Sequence, residues 1–172
     1  MADGRWCTSN DDKERVVETY FQQLFTTTTN PNQMDHVLNK VERVVTPDMN
    51  HALLQPYSSD EVKRALFQMH PSKSPGSDGM SPFYFQKYWD IVGDDIREAV
   101  LSVLSSSHMM KKMNYTHIVL IPKINEPQTI ADYRPISLSN VISRIVSEVL
   151  ANRLKLILPN VISNSQNAFV PN

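Results

Sequence analysis

Two basic residues flank a predicted turn in a pattern that suits phosphate binding. Lys123 ends an apolar segment, and Arg134 follows eleven residues later, directly before Pro135. Proline pushes the preceding residue into an extended conformation, so Arg134 should project from stiff backbone. A guanidinium binds phosphate oxygens in a bidentate manner, whereas lysine contributes a point charge, so the two would clamp a polyphosphate. An ion pair between Arg134 and Asp132 or Glu126 is the open alternative.

The loop from Lys73 to Gly79, KSPGSDG, is a second candidate site. Its glycines would let backbone N–H groups point at a phosphate beside the lysine cation. The spacing does not match a Walker loop, in which Gly-Lys-Ser/Thr opens a helix. An ordinary turn between two helices is the alternative that composition favours.

Paired aspartates, Asp94 and Asp95, resemble a metal-binding pair. Two-metal phosphoryl transfer needs carboxylates that converge on two ions, usually from rigid strands. These aspartates are instead predicted to open a helix, so we expect them to cap it and to bind no metal.

The last predicted helix carries a basic set formed by Arg144, Arg153 and Lys155. We expect these residues opposite the aliphatic face, with Arg144 and Arg153 near the same side, where a nucleic-acid backbone could lie along them. A solvated face is the alternative, and Glu148 dilutes the positive charge.

The elements that must position these residues are mostly helical. Apolar periodicity and capping signals predict helices over residues 10–25, 34–45, 58–69, 83–89, 94–104 and 141–157. Pro47 and Pro159 are predicted to end the second and last of them, and Asn140 to cap the last. Residues 115–121 are the best strand, and a small sheet is expected around 115–138.

Composition bounds the class of protein. Residues 1–110 carry 10 Lys and Arg against 15 Asp and Glu, whereas residues 111–172 carry 7 against 3. The basic surplus therefore lies where Lys123 and Arg134 lie. Cys7 is the only cysteine, which excludes an internal disulfide and favours a reducing compartment. No apolar run has the length of a signal peptide core or a membrane span, so we expect an intracellular protein of the nucleus or cytoplasm, not secreted.

Five motifs occur in the order seen in one family: KSPGSDGMSPFYFQKYW, HIVLIPK, DYRPISLSN, ANRLKLILP and SQNAFVP. Because of these motifs and their order, the chain resembles the reverse transcriptase of LINE-type, non-LTR retrotransposons, particularly those of plants. The upstream segments DGRWCTSNDDKERVVETYFQQLF and PYSSDEVKRALFQM are similar to the region that precedes the enzyme domain in that family. The resemblance covers residues 3–171.

The resemblance implies a role for each candidate residue. Arg134 would contact the triphosphate of the incoming nucleotide, and Lys123 would lie beside the template–nucleotide pair. Lys73 belongs to the motif that precedes the fingers subdomain. Arg144 stands where the family tends to carry a lysine, and Gln166 would lie near the template strand.

The resemblance also implies the fold and the reaction. We expect an α+β, helix-rich fold, with a helical N-terminal extension over residues 1–57 and a partial reverse transcriptase domain over residues 58–172. That domain would be a polymerase fingers-like subdomain with a small β-sheet. Family members continue into a palm whose aspartates bind Mg²⁺, so we expect this chain to lack the palm and to bind no cofactor itself. Mg²⁺ is expected for the full-length enzyme.

These expectations define an RNA-directed DNA polymerase (nucleotidyltransferase) fragment that is inactive alone. Its partners would be an RNA template, a DNA primer, deoxynucleoside triphosphates and possibly a separate palm-containing chain, with no membrane. Two alternatives stay open: a nucleic-acid-binding module, and a non-functional remnant of a retroelement.

Overall fold

A computed structural model of the chain describes residues 9–26 and 42–162. Backbone packing divides the chain into two compact units. The described residues of the first unit are 9–26, 42 and 118–136, and those of the second are 43–117 and 137–162. The predicted domain boundary between residues 57 and 58 came from the resemblance to the family and does not describe these compact units. It stays a prediction.

The first unit contains a helix and most of a β-hairpin. Helix α1 spans Asn10–Phe25, and the Ser9 hydroxyl caps it by accepting a hydrogen bond from the Asp12 backbone N–H. Phe21 is the buried residue of this helix. The hairpin consists of β1 (Thr116–Pro122), a 3₁₀ turn (Ile130–Asp132) and β2 (Tyr133–Ser139).

The second unit is built from helices around one apolar core. In chain order they are α2 (Pro47–Leu53), α3 (Ser59–Gln68), α4 (Pro82–Lys87), α5 (Trp89–Ser106), α6 (Lys111–Asn114), α7 (Val141–Lys155) and α8 (Leu158–Val161). The core is formed mainly by α3, α5 and α7, and its fully buried side chains include Val62, Leu66, Val100, Val141, Ile145 and Val149. Burying each aliphatic side chain of this kind stabilises the fold by about 1.5–3 kcal/mol.

The predicted α+β, helix-rich class with a small sheet is confirmed, since two antiparallel strands accompany the helices. The predicted capping box of α3 is also confirmed. The Ser58 hydroxyl accepts from the Glu61 backbone N–H at 3.3 Å, and the Glu61 carboxylate accepts from the Ser58 backbone N–H at 2.8 Å.

Proline was interpreted wrongly at two helix boundaries. Pro47 begins α2 instead of ending the helix before it, because proline suits the first helical turn, where its missing N–H is not needed. Pro159 likewise lies in the first turn of α8. The predicted helix over residues 34–45 lies largely outside the described residues. Its last two valines, Val44 and Val45, are non-helical and exposed.

Two further predictions about helix starts need correction. Asp94 and Asp95 do not open a helix, because α5 already begins at Trp89. Asn140 does occupy the position before α7, but its side chain makes no capping hydrogen bond. It is used for other contacts described below.

Candidate functional site

The register of the hairpin determines which side chains share a face. The Lys123 backbone N–H donates to the Asp132 carbonyl at 2.7 Å, which makes these two residues opposite partners. β1 and β2 have equal lengths on either side of that pair. Ile121 therefore lies opposite Arg134. Side chains alternate between the two faces of a strand, so Ile121 and Arg134 project from the same face, and Lys123 directly follows β1.

Arg134 is exposed on β2 and makes no side-chain hydrogen bond or ion pair within the described residues. The alternative in which it pairs with Asp132 or Glu126 is therefore wrong. Asp132 is already engaged, because its Oδ2 accepts from the backbone N–H groups of Gln128 and Thr129 at 3.0 and 2.8 Å. These hydrogen bonds, the one to Thr129 first, hold the pKa of Asp132 below its usual range.

Lys123 closes the loop that connects the two strands. Its Nζ donates to the carbonyl of Ala131 at 2.7 Å, eight residues further along the chain. The ammonium group has three N–H donors, so two stay available for an anion. Lys123 therefore combines a structural contact with an exposed charge directly after β1.

Apolar side chains complete this face of the hairpin. Val119, Ile121 and Ile136 are 42%, 47% and 40% exposed. By the same register, Val119 and Ile136 are opposite partners and share the face of Arg134. The face thus offers a guanidinium beside an apolar surface, a combination that suits a phosphate attached to a flat ring.

The loop of the second candidate site is fixed to the start of α7. The Ser77 hydroxyl donates to Oδ1 of Asn140 at 3.1 Å, and the Asn140 Nδ2 donates to the Lys112 carbonyl at 3.2 Å. A Cβ atom on Gly76 would lie 2.6 Å from the Asn140 backbone nitrogen, so only glycine fits there. The composition-based alternative, a tight interhelical turn, describes this loop. Lys73 at its start is exposed and has no side-chain partner in the described part of the chain.

The basic residues of α7 do not share one face. Arg144 is half-buried and donates through Nε to the Ser139 hydroxyl at 3.3 Å. Lys155 is exposed, and its Nζ lies 3.4 Å from the Glu148 carboxylate. Nine residues are two and a half helical turns, so Arg144 and Arg153 point to opposite sides, and the prediction that they lie near the same side is wrong.

Arg153 is buried, with 8% of its surface exposed, which corrects its predicted place on the polar side of α7. Its Nε donates to the Glu61 carboxylate at 2.7 Å, and its Nη2 donates to the same group at 3.0 Å. The remaining N–H groups donate to backbone carbonyls at the end of α2 and in the segment that follows it, namely those of Leu53, Gln55 and Pro56. The guanidinium also lies 3.8 Å from the centroid of the Tyr57 ring. This arginine ties α7 to α3, and these contacts engage all five of its N–H donors.

The sequence does contain a signal for this buried pair. Ile145, Val149 and Arg153 follow one another at intervals of four, so Arg153 continues the stripe of buried residues along α7. An arginine in such a stripe needs an acceptor for its N–H groups, and in the structure the Glu61 carboxylate is that acceptor. Arg153 in turn lowers the pKa of Glu61 to about 2, mainly by donating hydrogen bonds to it.

The other predicted features have simple outcomes. Gln166 lies outside the described residues. Asp94 is exposed and pairs with Arg97 on the same helix. Within residues 9–26 and 42–162, no group of three or more His, Cys, Asp or Glu side chains is placed to hold a metal ion. No helix in those ranges has the length and apolar character needed to cross a bilayer.

Comparison with known proteins connects the chain to mobile elements. No protein-family model matches it. It is 31% identical over 128 residues to the transposon TX1 uncharacterized 149 kDa protein of Xenopus laevis, a match that covers 74% of this chain and 10% of that protein. It is 24% identical over 152 residues to the RNA-directed DNA polymerase from mobile element jockey of Drosophila funebris, covering 88% of this chain and 16% of that protein. The chain therefore spans a small part of the length of these relatives.

Proposed function

We propose that the chain is a segment of a LINE-type, non-LTR reverse transcriptase of the plant-like kind, and that its hairpin binds the triphosphate of an incoming deoxynucleotide. The observation that carries the proposal is the state of Arg134. Its guanidinium is exposed, lies on a strand next to a proline, and has no partner within the described residues. The similarity to a protein named as an RNA-directed DNA polymerase supports the same assignment.

The chemistry of the face fits a nucleoside triphosphate better than a simple anion. Arg134 supplies a planar donor pair for phosphate oxygens, and Lys123 supplies a second positive charge on the same hairpin. Val119, Ile121 and Ile136 supply an apolar surface against which a base can pack. A small anion such as sulfate would use only the charged half of this arrangement.

In this proposal the chain is the fingers region, and the other parts of the reaction come from elsewhere. The resemblance assigns the Mg²⁺-binding aspartates to a palm region outside these 172 residues, in the same polypeptide or in a separate one. A polypeptide of only these residues would then bind nucleotide without extending a primer. The enzyme as a whole would copy an RNA template from a DNA primer, in the nucleus or the cytoplasm.

Equilibrium binding of a dye-labelled deoxynucleoside triphosphate to the 172-residue chain, followed by fluorescence anisotropy, tests the proposal. A bidentate contact to a charged group contributes about 1.5–3 kcal/mol, so Arg134→Gln should weaken binding at least about ten-fold. Arg134→Lys should be intermediate, because lysine keeps the charge and loses the fork.

Arg64→Gln is the matched control, because Arg64 is another exposed arginine without a side-chain partner in the described ranges. It should bind the labelled nucleotide as the unmodified chain does. Inorganic tripolyphosphate should compete with the nucleotide, but less well, because it lacks the base. No binding to the unmodified chain, or equal losses for the two arginine variants, would contradict the proposal.

Nucleic-acid binding is a second candidate function, and the exposed Lys73 favours it. Its loop is fastened to Asn140, so the lysine is presented from a fixed position. Arg144 and Lys155 are additional candidates for phosphate contacts. Each phosphate contact to a single strand contributes about 0.7 to the dependence of log affinity on log salt concentration. Lys73→Gln should reduce that slope by about this amount, and an unchanged slope would remove Lys73 from the surface.

A further inference from the structure

One face of helix α4 packs against the rest of the second unit. Pro82 and Phe85 are buried in the second unit. The Gln86 side chain donates through Nε2 to the carbonyls of Leu66 and Met69, both at 2.9 Å. These contacts fasten α4 to the end of α3, so the opposite face of α4 has a defined orientation.

That opposite face carries three aromatic rings in contact with solvent. Phe83, Tyr84 and Tyr88 are 54%, 38% and 40% exposed. Lys87 lies among them, with its Nζ 5.7 Å from the centroid of the Phe83 ring and 5.6 Å from that of Tyr88. We name Phe83, Tyr84, Lys87 and Tyr88 the aromatic strip. The rings of Tyr84 and Tyr88 are themselves 5.2 Å apart, so the strip is continuous.

The charge of the strip distinguishes between possible occupants. An apolar partner helix would have to cover the Lys87 ammonium group and remove it from water, which is unfavourable without a compensating acceptor. The sequence from Ser81 to Trp89 contains no carboxylate that could neutralise it. Exposed rings interleaved with a cation are instead the combination that binds single-stranded nucleic acid, since bases stack on rings and phosphates pair with the cation.

Neighbouring residues extend the same chemistry. Lys63 on α3 places its Nζ 5.9 Å from the centroid of Phe67 and 6.0 Å from that of Trp89, which directly follows the strip. Phe67 is 49% exposed. Asp90, which directly follows Trp89 on α5, is negatively charged. The positive charge is therefore confined to the strip and to Lys63.

We propose that the aromatic strip binds unpaired bases of a single-stranded nucleic acid, with Lys87 contacting its phosphates. This deepens the proposed function and rests on it for the identity of the strand, which would be the RNA template. The strip belongs to the second unit, whereas Lys123 and Arg134 belong to the first, so separate variants address each site.

Anisotropy of a dye-labelled single-stranded oligouridylate, measured with the 172-residue chain, tests the strip. Stacking on an exposed ring is strong enough that Phe83→Ala and Tyr88→Ala should each weaken binding about five-fold or more. Tyr88→Phe should retain the affinity, because it keeps the ring. Lys87→Gln should lower the salt dependence of log affinity by about 0.7.

Two controls separate stacking from other effects. Tyr115→Ala removes a ring that is 56% exposed elsewhere in the second unit, and it should leave binding unchanged. A blunt duplex of the same length should bind without sensitivity to Phe83→Ala, because its bases are already stacked. Circular dichroism of each variant should match the unmodified chain, since the rings replaced are exposed.

Three results would overturn the proposal: unchanged oligonucleotide affinity in Phe83→Ala and Tyr88→Ala, equal losses for single strand and duplex, or loss of self-association in place of loss of strand binding. The last result would identify the strip as a protein contact. Binding of the oligonucleotide and binding of the labelled triphosphate are measured separately. If the proposal for the strip is wrong, the oligonucleotide measurements show it. If the proposed nucleotide site is wrong, only the measurements with the labelled triphosphate show it.

Discussion

Removing the charge of Glu61 should change how the stability of the second unit depends on pH. Glu61→Gln keeps the shape of the side chain and part of its hydrogen bonding, but it removes the negative charge that faces Arg153. The two side chains are 23% and 10% exposed, so water screens their interaction only weakly. The substitution therefore tests one partly buried charge pair with little change in packing.

The size of the effect follows from the pKa of Glu61. Hydrogen bonds from Arg153, which outweigh the opposing effect of burial, lower this pKa from 4.5 to about 2, and a hydrogen bond from Ser58 contributes in the same direction. That difference corresponds to about 3 kcal/mol of free energy of unfolding. Because the pKa is lower in the folded chain, the stabilisation is complete above about pH 4.5 and is lost as the pH falls towards 2.

Urea denaturation at pH values between 7 and 2.5 measures this loss. The fluorescence of Trp89, which is 6% exposed, reports unfolding of the second unit in a Trp6→Phe background. The unmodified chain should exceed Glu61→Gln by about 3 kcal/mol at pH 7, and the difference should shrink towards zero at low pH. Glu98→Gln, at an exposed position, is the control and should track the unmodified chain. A constant difference at every pH would refute the reasoning.

Two other substitutions test how the second unit is assembled, each by the free energy of unfolding from urea denaturation at pH 7. Gly76→Ala should destabilise it by about 1–3 kcal/mol, because the added Cβ would meet the backbone nitrogen and Cα of Asn140 at 2.6 and 2.7 Å. Adding Asn140→Ala should not restore stability, since these atoms remain, and a restored value would place the conflict in the side chain instead. Thr46→Ala should cost about 1 kcal/mol by removing the hydroxyl that accepts from the Met49 backbone N–H at 3.2 Å, whereas no loss would mean that Pro47 alone starts α2.

Three predictions that depend on local chemistry are confirmed by the structure. The Ser58 capping box works within a single turn of helix, and the extent of α1 follows from its own apolar periodicity. The strand before Pro122 was also predicted, within one residue at each end. These features need no information about distant parts of the chain.

The features that sequence reasoning missed depend on distant partners or on a residue with two roles. Arg153 is separated by 92 residues from Glu61, and only tertiary packing brings the two together. The Asn140 side chain does not cap α7, because it accepts a hydrogen bond from the Ser77 hydroxyl and donates one to the Lys112 carbonyl. Pro47 is compatible with both a helix start and a helix stop, so periodicity alone did not decide between them.

For the candidate site, the sequence placed Lys123 and Arg134 on either side of one turn, but it left open whether Arg134 was already paired. That question depends on where Asp132 points. In the structure, Asp132 Oδ2 accepts hydrogen bonds from the backbone N–H groups of Gln128 and Thr129, and Arg134 forms no ion pair with Asp132 or Glu126 within the described residues.

The most direct test of the central claim is the Nε–Hε signal of Arg134 in a ¹⁵N-labelled chain titrated with a deoxynucleoside triphosphate. The signal is assigned by its loss in Arg134→Lys. If Arg134 binds the triphosphate, the chemical shift of this signal should change as nucleotide is added, and its Hε proton should exchange more slowly with water. The chemical shift of the Arg64 signal should stay the same. A signal from Arg134 that moves no more than that of Arg64 at saturating nucleotide would contradict the account.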